Sequence, residues 1–187
     1  MRTYIFILVF AIVSLGCSSD SNEGSSFNSA DSIGQGGSLA TFVIKGDYLY
    51  TVDNEDLNVF NITTTTDPVL VNTVLIGFDI ETFFSYKDYL YIGSRNGMFI
   101  YDVNNPEFPV QLSSVQHFTS CDPVVANSNY AFVTLWSDLG CGGFVNQLEV
   151  YEVSDVLNPM LVNIRQLTFP KGLGLYGDYL IVCDDEI

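Results

Sequence analysis

Acidic side chains at the ends of predicted strands are the residues of this sequence with the most capacity for chemistry. Converging carboxylates can hold Ca²⁺, which takes about six to eight oxygen ligands, and a pair facing a glycosidic bond can hydrolyse it. No group has the spacing of a known calcium loop, so we predict no metal or cofactor. Solvated turn acids are the alternative interpretation. The residues are Asp53, Glu55, Asp56, Asp138, Asp184, Asp185 and Glu186.

Other signals of catalysis are sparse. The sequence contains 1 histidine, His117, and it has no Gly-x-Ser-x-Gly elbow, no Cys-x-x-Cys and no histidine pair. A histidine-based triad or a zinc site would therefore depend on His117 alone, which we expect to be a surface or packing residue. This favours a non-catalytic binding or scaffold role, with a glycosidase-like surface hydrolase as the alternative.

Three aromatic residues accompany the acids. Trp136 and Phe144 belong to a ten-residue insertion, 136–145, and Phe118 precedes the third repeat described below. Insertions in repeat proteins usually mark loops on a binding face. The aromatics are predicted either to stack on a sugar or a peptide or to pack between repeats.

A phrase that occurs four times organises the chain. It reads Asp47-Tyr48-Leu49-Tyr50 at first, and its later copies begin at Asp88, Asn129 and Asp178, hence 41, 41 and 49 residues apart. A period of this length is typical of units that bury their apolar faces only by stacking on one another.

Each complete repeat contains four predicted strands, a to d. Strands a and b flank the tight turn of the phrase. Strand c ends in an aromatic, a polar and an aliphatic residue, as in Tyr101-Asp102-Val103, and strand d follows a proline (Pro68, Pro109 or Pro159), which suits an edge position. Four antiparallel strands in about 41 residues predict an all-β fold, a β-propeller. The repeats are 39–79, 80–121, 122–170 and 171–187.

These repeats amount to three complete blades and two strands of a fourth, an incomplete ring. Propellers close with about four to eight blades. We therefore expect the sequence to be the N-terminal part of a longer propeller, the alternative being copies that complete a ring together.

The geometry of a blade places the segment before strand a and the b-to-c loop at one end. Cys121 and Cys141 are therefore predicted to form a disulfide, which an exported location permits. Cys183 is expected to be a buried thiol on strand b, with a bond to Cys141 as the alternative. The same end carries the candidate binding face, namely Asp53, Glu55, Asp56, Phe118, Trp136, Asp138, Phe144 and Asp184.

The N-terminus is predicted to be an export signal. Arg2 precedes an apolar stretch, Tyr4 to Leu15, and Ser14-Leu15-Gly16-Cys17 resembles the lipobox of bacterial lipoproteins. The resemblance implies residues 1–17 as a signal peptide and Cys17 as the lipid attachment site, whereas a chance Cys behind an ordinary signal is the alternative. Residues 18–38 are rich in Ser, Gly, Asn and Asp and predict a flexible stalk.

Charge limits the partners. The net charge is −16 with 6 Lys plus Arg, so nucleic acid and anionic membrane surfaces are excluded as predicted partners. We expect membrane attachment only through the N-terminal lipid, at the bacterial outer membrane or cell surface, and an extracellular protein or carbohydrate ligand. Generic solubility is the other explanation of the acidity.

The repeat resembles a known family. Tyr-Leu-Tyr, followed by an aliphatic–aromatic–acid–aliphatic strand such as Ile100-Tyr101-Asp102-Val103 and a Pro-led strand, is similar to the LVIVD-repeat proteins of bacterial and archaeal cell surfaces. Tyr179-Leu180-Ile181-Val182-Cys183-Asp184 is the nearest equivalent of the literal motif. The resemblance implies a surface β-propeller without an assigned activity.

Overall fold

The computed structural model describes residues 41–53, 55–117, 123–137 and 143–184. These residues form fourteen β-strands and contain no helix. The strands are β1 (Phe42–Lys45), β2 (Tyr48–Val52), β3 (Asp56–Asn61), β4 (Val69–Leu75), β5 (Ile80–Tyr86), β6 (Tyr89–Ser94), β7 (Gly97–Asp102), β8 (Val110–Gln116), β9 (Val124–Ala126), β10 (Tyr130–Leu135), β11 (Gln147–Glu152), β12 (Met160–Gln166), β13 (Pro170–Tyr176) and β14 (Tyr179–Asp184).

The strands form antiparallel sheets in chain order. Three sheets have four strands each, β1-β2-β3-β4, β5-β6-β7-β8 and β9-β10-β11-β12, and β13-β14 make a two-stranded sheet. We call these sheets blades 1 to 4. The predicted propeller architecture, with three complete blades and two strands of a fourth in a ring that is not closed, is confirmed. The Pro-led strands lie at the blade edge, as predicted.

Successive blades contact one another through their first strands, since β1 lies against β5, β5 against β9 and β9 against β13. The first strand of each blade is therefore the inner one. We call the end of the blades with the a-to-b and c-to-d turns the turn end. The opposite end, with the b-to-c loops and the connections between blades, is the loop end.

The apolar core lies between blades. One buried cluster joins Val43, Tyr50 and Leu57 of blade 1 to Phe83 and Leu90 of blade 2. A second cluster continues from blade 2 through blade 3 to blade 4. Because β5 and β9 each have a neighbouring blade on both faces, these two inner strands are mostly buried and do not alternate between buried and exposed residues.

The a-to-b hairpins are two-residue turns in blades 1, 2 and 4, where Lys45 pairs with Tyr48, Tyr86 with Tyr89 and Tyr176 with Tyr179. Such turns need a positive φ at their first residue. Gly46 and Gly177 supply it with φ of 56° and 57°, but in blade 2 a lysine, Lys87, has a φ of 51°. A side chain costs free energy in this left-handed conformation.

Replacing Lys87 with glycine should therefore raise the free energy of unfolding by about 0.5–1 kcal/mol. The control is Ser128→Gly, at the same position of blade 3, where φ is not positive. Glycine there should destabilise by a similar amount because it only adds freedom to the unfolded chain. Urea unfolding monitored by circular dichroism measures both, and two changes of the same sign would contradict the argument.

Each four-stranded blade has a β-bulge between its third and fourth strands. The register shifts after Val59, Ile100 and Val150 leave one residue of the edge strand without a partner, respectively Val71, Leu112 and Val162. A bulge bends and twists the strand that carries it. The edge strands are therefore irregular at the same point of each repeat.

Two details differ from the prediction. Strand β9 is short, Val124–Ala126 instead of 123–128, because the Asn127 side chain accepts the N–H groups of Asn129 and Tyr130 and forms a wider turn. The expected burial of Cys183 is wrong. It is an exposed free thiol, because β14 places it on the face opposite Leu180 and Val182, which pack toward blade 3.

Several predicted residues lie outside the described ones. They are Cys17, Phe118, Cys121, Asp138, Cys141, Asp185 and Glu186, so the lipid attachment site and the disulfide stay predictions. Among the described residues, no helix is both long and apolar enough to cross a membrane.

Candidate functional site

The loop end combines the start of each blade with its b-to-c loop, as the sequence predicted. At blade 4, the Asp184 carboxylate at the end of β14 accepts the backbone N–H of Phe169 at 2.7 Å and that of Thr168 at 2.8 Å. Asp184 thus fastens the segment before β13 to the end of β14. Its carboxylate already has a structural role.

Asp53 has a similar local role in blade 1. Its Oδ1 accepts the backbone N–H groups of Asp56 at 2.9 Å and Glu55 at 3.1 Å, and its Oδ2 accepts Asn58 Nδ2 at 3.3 Å. These bonds, chiefly the one from the Asp56 N–H, lower the pKa of Asp53 below its ordinary value of 3.8. The carboxylate closes the b-to-c turn.

Replacing Asp53 with asparagine should weaken the pH dependence of stability. The lowered pKa means that the carboxylate stabilises the fold above its ordinary pKa of 3.8, and this contribution is lost as the pH falls through the folded-state value. Because Asp53 is exposed, its contribution to the free energy of unfolding is less than ~1 kcal/mol.

The amide oxygen of the Asp53→Asn variant could still accept both N–H groups, but the amide does not titrate. The wild type should therefore lose more stability than the variant between about pH 6 and about pH 3 in urea unfolding. Parallel pH profiles would contradict this role for Asp53.

The aromatic residues divide between packing and exposure. Trp136 is partly buried and meets Phe169 edge to face at 5.2 Å, which bears out the packing alternative for this residue. Phe144, three residues before β11, is 97% exposed. Phe78, before β5, is 70% exposed. Phe144 and Phe78 thus present apolar area to solvent at the loop end.

A feature that the sequence interpretation missed lies beside this end, between blades 2 and 3. Glu149 on β11 is only 3% exposed. Its Oε1 accepts Gln147 Nε2 at 2.7 Å, and its Oε2 accepts the Tyr151 hydroxyl at 2.5 Å. Gln166 Nε2 donates in turn to Gln147 Oε1 at 3.0 Å. Alternating residues of one strand thus hold this carboxylate in a fixed position.

No Lys, Arg or His among the described residues lies within salt-bridge distance of Glu149. Burying a carboxylate without a cation is costly, since neutral donors offset only part of its lost hydration.

Glu149 borders a cavity of about 290 Å³. Leu161 and Ile164 of β12 supply apolar walls, and the sequence-predicted candidate His117, half-buried, lies on the side of blade 2. The described residues that line it are Gln116, His117, Glu149, Tyr151, Leu161 and Ile164. Together they form an apolar cleft with an anionic floor.

The preceding repeats show why the cavity exists. Phe99 occupies the position of Glu149 in blade 2, and its ring packs against blade 1 so closely that a Cβ on Gly77 would lie 3.4 Å from it. Blade 1 has Asn58 at this position. A comparison of strand c between the repeats would have singled out Glu149 in the sequence.

In the described part of the chain, no group of three or more His, Cys, Asp or Glu side chains is arranged to hold a metal ion. The Ca²⁺ alternative also involved Asp138, Asp185 and Glu186, which lie outside it.

The fold and its repeats define a β-propeller module, and comparison with known proteins agrees. Residues 36–75 and 86–116, in blades 1 and 2, match the family model of the LVIVD repeat. A search of curated proteins found no match.

Among solved structures, the chain is similar to Hsv2 of Kluyveromyces lactis. One structure of it, with a complete loop 6CD, is 10% identical with a TM-score of 0.46, and the match covers 73% of this chain and 37% of that one. A second Hsv2 structure gives the same identity, TM-score and coverage of this chain, and 38% of its own length. The chain thus spans well under half of these structures.

Proposed function

We propose that this protein is a non-catalytic binding module that takes a basic side chain of a protein partner at its loop end. The observation that supports the proposal is the buried Glu149 carboxylate at the floor of an apolar cleft. A lysine side chain matches this cleft because its methylene stem packs on apolar walls while its ammonium group pairs with the carboxylate.

Two further features agree with a basic partner. The net charge of −16 attracts cationic surfaces and accelerates their association. The exposed Phe144 and Phe78 rings offer apolar contact area at the loop end. Aromatic side chains are frequent anchors of protein interfaces.

A hydrolase of the glycosidase type would need two carboxylates facing each other across a pocket. Among the described residues, the cleft is lined by one carboxylate, Glu149. Asp53 and Asp184 are held in their own turns. Binding is therefore the function that we favour.

We also propose display outside the cell through a lipid on Cys17, on the basis of the lipobox-like Ser14-Leu15-Gly16-Cys17. Several acyl chains together give stable anchoring. Expressed in a bacterial host, the wild type should sediment with membranes, and Cys17→Ser should not. Equal sedimentation of both would remove this part of the proposal.

The binding proposal is tested with small probes by isothermal titration calorimetry. Nα-acetyl-lysine methylamide should bind, and the norleucine analogue, which lacks the ammonium group, should bind at least ~10-fold more weakly. Glu149→Gln keeps the size and one oxygen acceptor but removes the charge, so it should weaken lysine binding by a similar factor.

The matched control is Glu107→Gln, which changes a carboxylate at the turn end that accepts the Tyr48 hydroxyl. It should leave probe affinity within about twofold of the wild type. Equal binding of the two probes, or wild-type affinity in Glu149→Gln, would overturn the proposal.

A further inference from the structure

A second cavity of about 290 Å³ lies between blades 2 and 3 at the turn end, away from the Glu149 cleft. Its wall combines three tyrosines with polar groups of both hydrogen-bonding types. The lining residues are Tyr86, Lys87, Asp88, Tyr89, Tyr91, Asn127, Ser128, Val153, Ser154 and Val156.

The same place between blades 1 and 2 is closed by side chains that bridge the blades. Lys45 Nζ donates to Lys87 O and to Asp88 Oδ1, both at 2.7 Å. The Tyr50 hydroxyl donates to Pro106 O at 2.9 Å. Glu107 accepts two more bonds: the Tyr48 hydroxyl donates to its Oε1 at 2.9 Å, and Asn72 Nδ2 donates to its backbone O at 2.7 Å.

One repeat later these bridges are replaced. Lys45 has Tyr86 as its counterpart, and the acceptor Glu107 has Leu157, which offers no side-chain oxygen. Ser113 takes the place of Asn72, and its hydroxyl donates at 2.6 Å to Val156 O, the carbonyl equivalent to Pro106 O. The cavity is therefore a consequence of sequence differences between repeats.

Tyr91, the counterpart of Tyr50, is consequently left without its bridge. Its side chain is 1% exposed and lines the cavity, and its hydroxyl makes no bond equivalent to the one from Tyr50 to Pro106 O. Burial raises the pKa of Tyr91, so the hydroxyl is neutral and can both donate and accept. A polar group that borders a cavity and lacks the bond of its counterpart is a candidate for pairing with a ligand.

Other polar groups border the same space. Asn127 uses its Oδ1 for the backbone N–H groups of Asn129 and Tyr130, which leaves its Nδ2 as a donor. Asp88 accepts Lys45 through Oδ1 only, which leaves Oδ2 as an acceptor. The positive charge of Lys87 and the negative charge of Asp88 offset each other, so the site favours a neutral ligand.

We propose that this cavity binds one neutral sugar ring, free or at the end of a glycan. Tyrosine faces suit the apolar side of a sugar, and Tyr91, Asn127 and Asp88 suit its hydroxyls, which donate and accept. The volume lies at the lower limit of the ~300–1,000 Å³ of small-molecule pockets, which fits one ring and not an extended chain.

The test is titration of the protein with methyl glycosides of glucose, galactose, mannose and N-acetylglucosamine. Saturation-transfer NMR measures the binding. At least one glycoside should bind. Tyr91→Phe removes only the hydroxyl and should weaken binding about fivefold or more. Tyr50→Phe removes the equivalent hydroxyl of blade 1 and should leave affinity within about twofold of the wild type.

A second variant fills the cavity without changing the apolar core of the protein. Ser128 is exposed and lines the cavity, so Ser128→Phe should keep the fold, checked by circular dichroism, and abolish glycoside binding. Absence of binding for all four glycosides, or wild-type affinity in Tyr91→Phe or Ser128→Phe, would overturn the proposal. If a methyl glycoside and a larger glycan that ends in the same sugar bind with equal affinity, the ring itself is the ligand.

Discussion

Replacing Phe83 with alanine should lower the free energy of unfolding by about 3–5 kcal/mol, the range for deleting a buried phenylalanine ring. Phe83 lies on the inner strand β5 and is 0% exposed. Its ring belongs to the cluster that joins Tyr50 and Leu57 of blade 1 to Leu90 of blade 2. The cavity left by the ring would thus lie between two blades, where neither sheet can close it alone.

Equilibrium unfolding in urea measures this loss, and Phe78→Ala is the matched control. Phe78 lies only five residues earlier but is 70% exposed, so its truncation should change stability by no more than about 0.5 kcal/mol. Similar losses in the two variants would mean that the core is not concentrated between the blades.

Gly97→Ala should be the second severe substitution, with a loss of about 1–3 kcal/mol or more. Gly97 begins β7, and a Cβ built on it would lie 2.1 Å from the carbonyl oxygen of Val115 on β8. A backbone atom cannot turn aside as a flexible side chain can. The strands β7 and β8 would have to separate, and the bonds between their ends would weaken.

Gly174→Ala on β13 provides the comparison, because a Cβ there has no atom within 4 Å. It should be neutral or stabilise by up to about 1 kcal/mol through the less flexible unfolded chain. Thermal unfolding of both variants gives the difference. A Gly97→Ala protein as stable as Gly174→Ala would contradict the close approach of β7 and β8.

The architecture was predictable because its signals are local. The Asp-Tyr phrase fixes the a-to-b hairpin, and Pro68, Pro109 and Pro159 mark the edge strand, so each blade can be delimited from its own residues. Local signals also placed Asp53 and Asp184 at one end of the blades. They did not show that both carboxylates would be occupied by N–H groups of nearby backbone.

The two cavities could not be predicted in the same way, since each depends on contacts between blades. Glu149 lies in a strand of ordinary pattern, and its significance follows from Phe99, which fills the corresponding space one blade earlier. Tyr91 repeats Tyr50, yet only the loss of a partner on the next blade leaves its hydroxyl without the equivalent bond. Cys183 was misplaced because an apolar strand does not reveal which of its faces is covered.

The bulges at Val71, Leu112 and Val162 also determine how this molecule can meet another. A regular edge strand is a template on which a second chain can add a strand of its own, in peptide recognition or in aggregation. The edge strands β4, β8 and β12 each begin after a proline and are interrupted by a bulge, so their unpaired N–H and C=O groups do not form a continuous row. Strand addition at these three edges is therefore disfavoured, whereas side-chain contacts at the ends of the blades do not depend on a free strand edge.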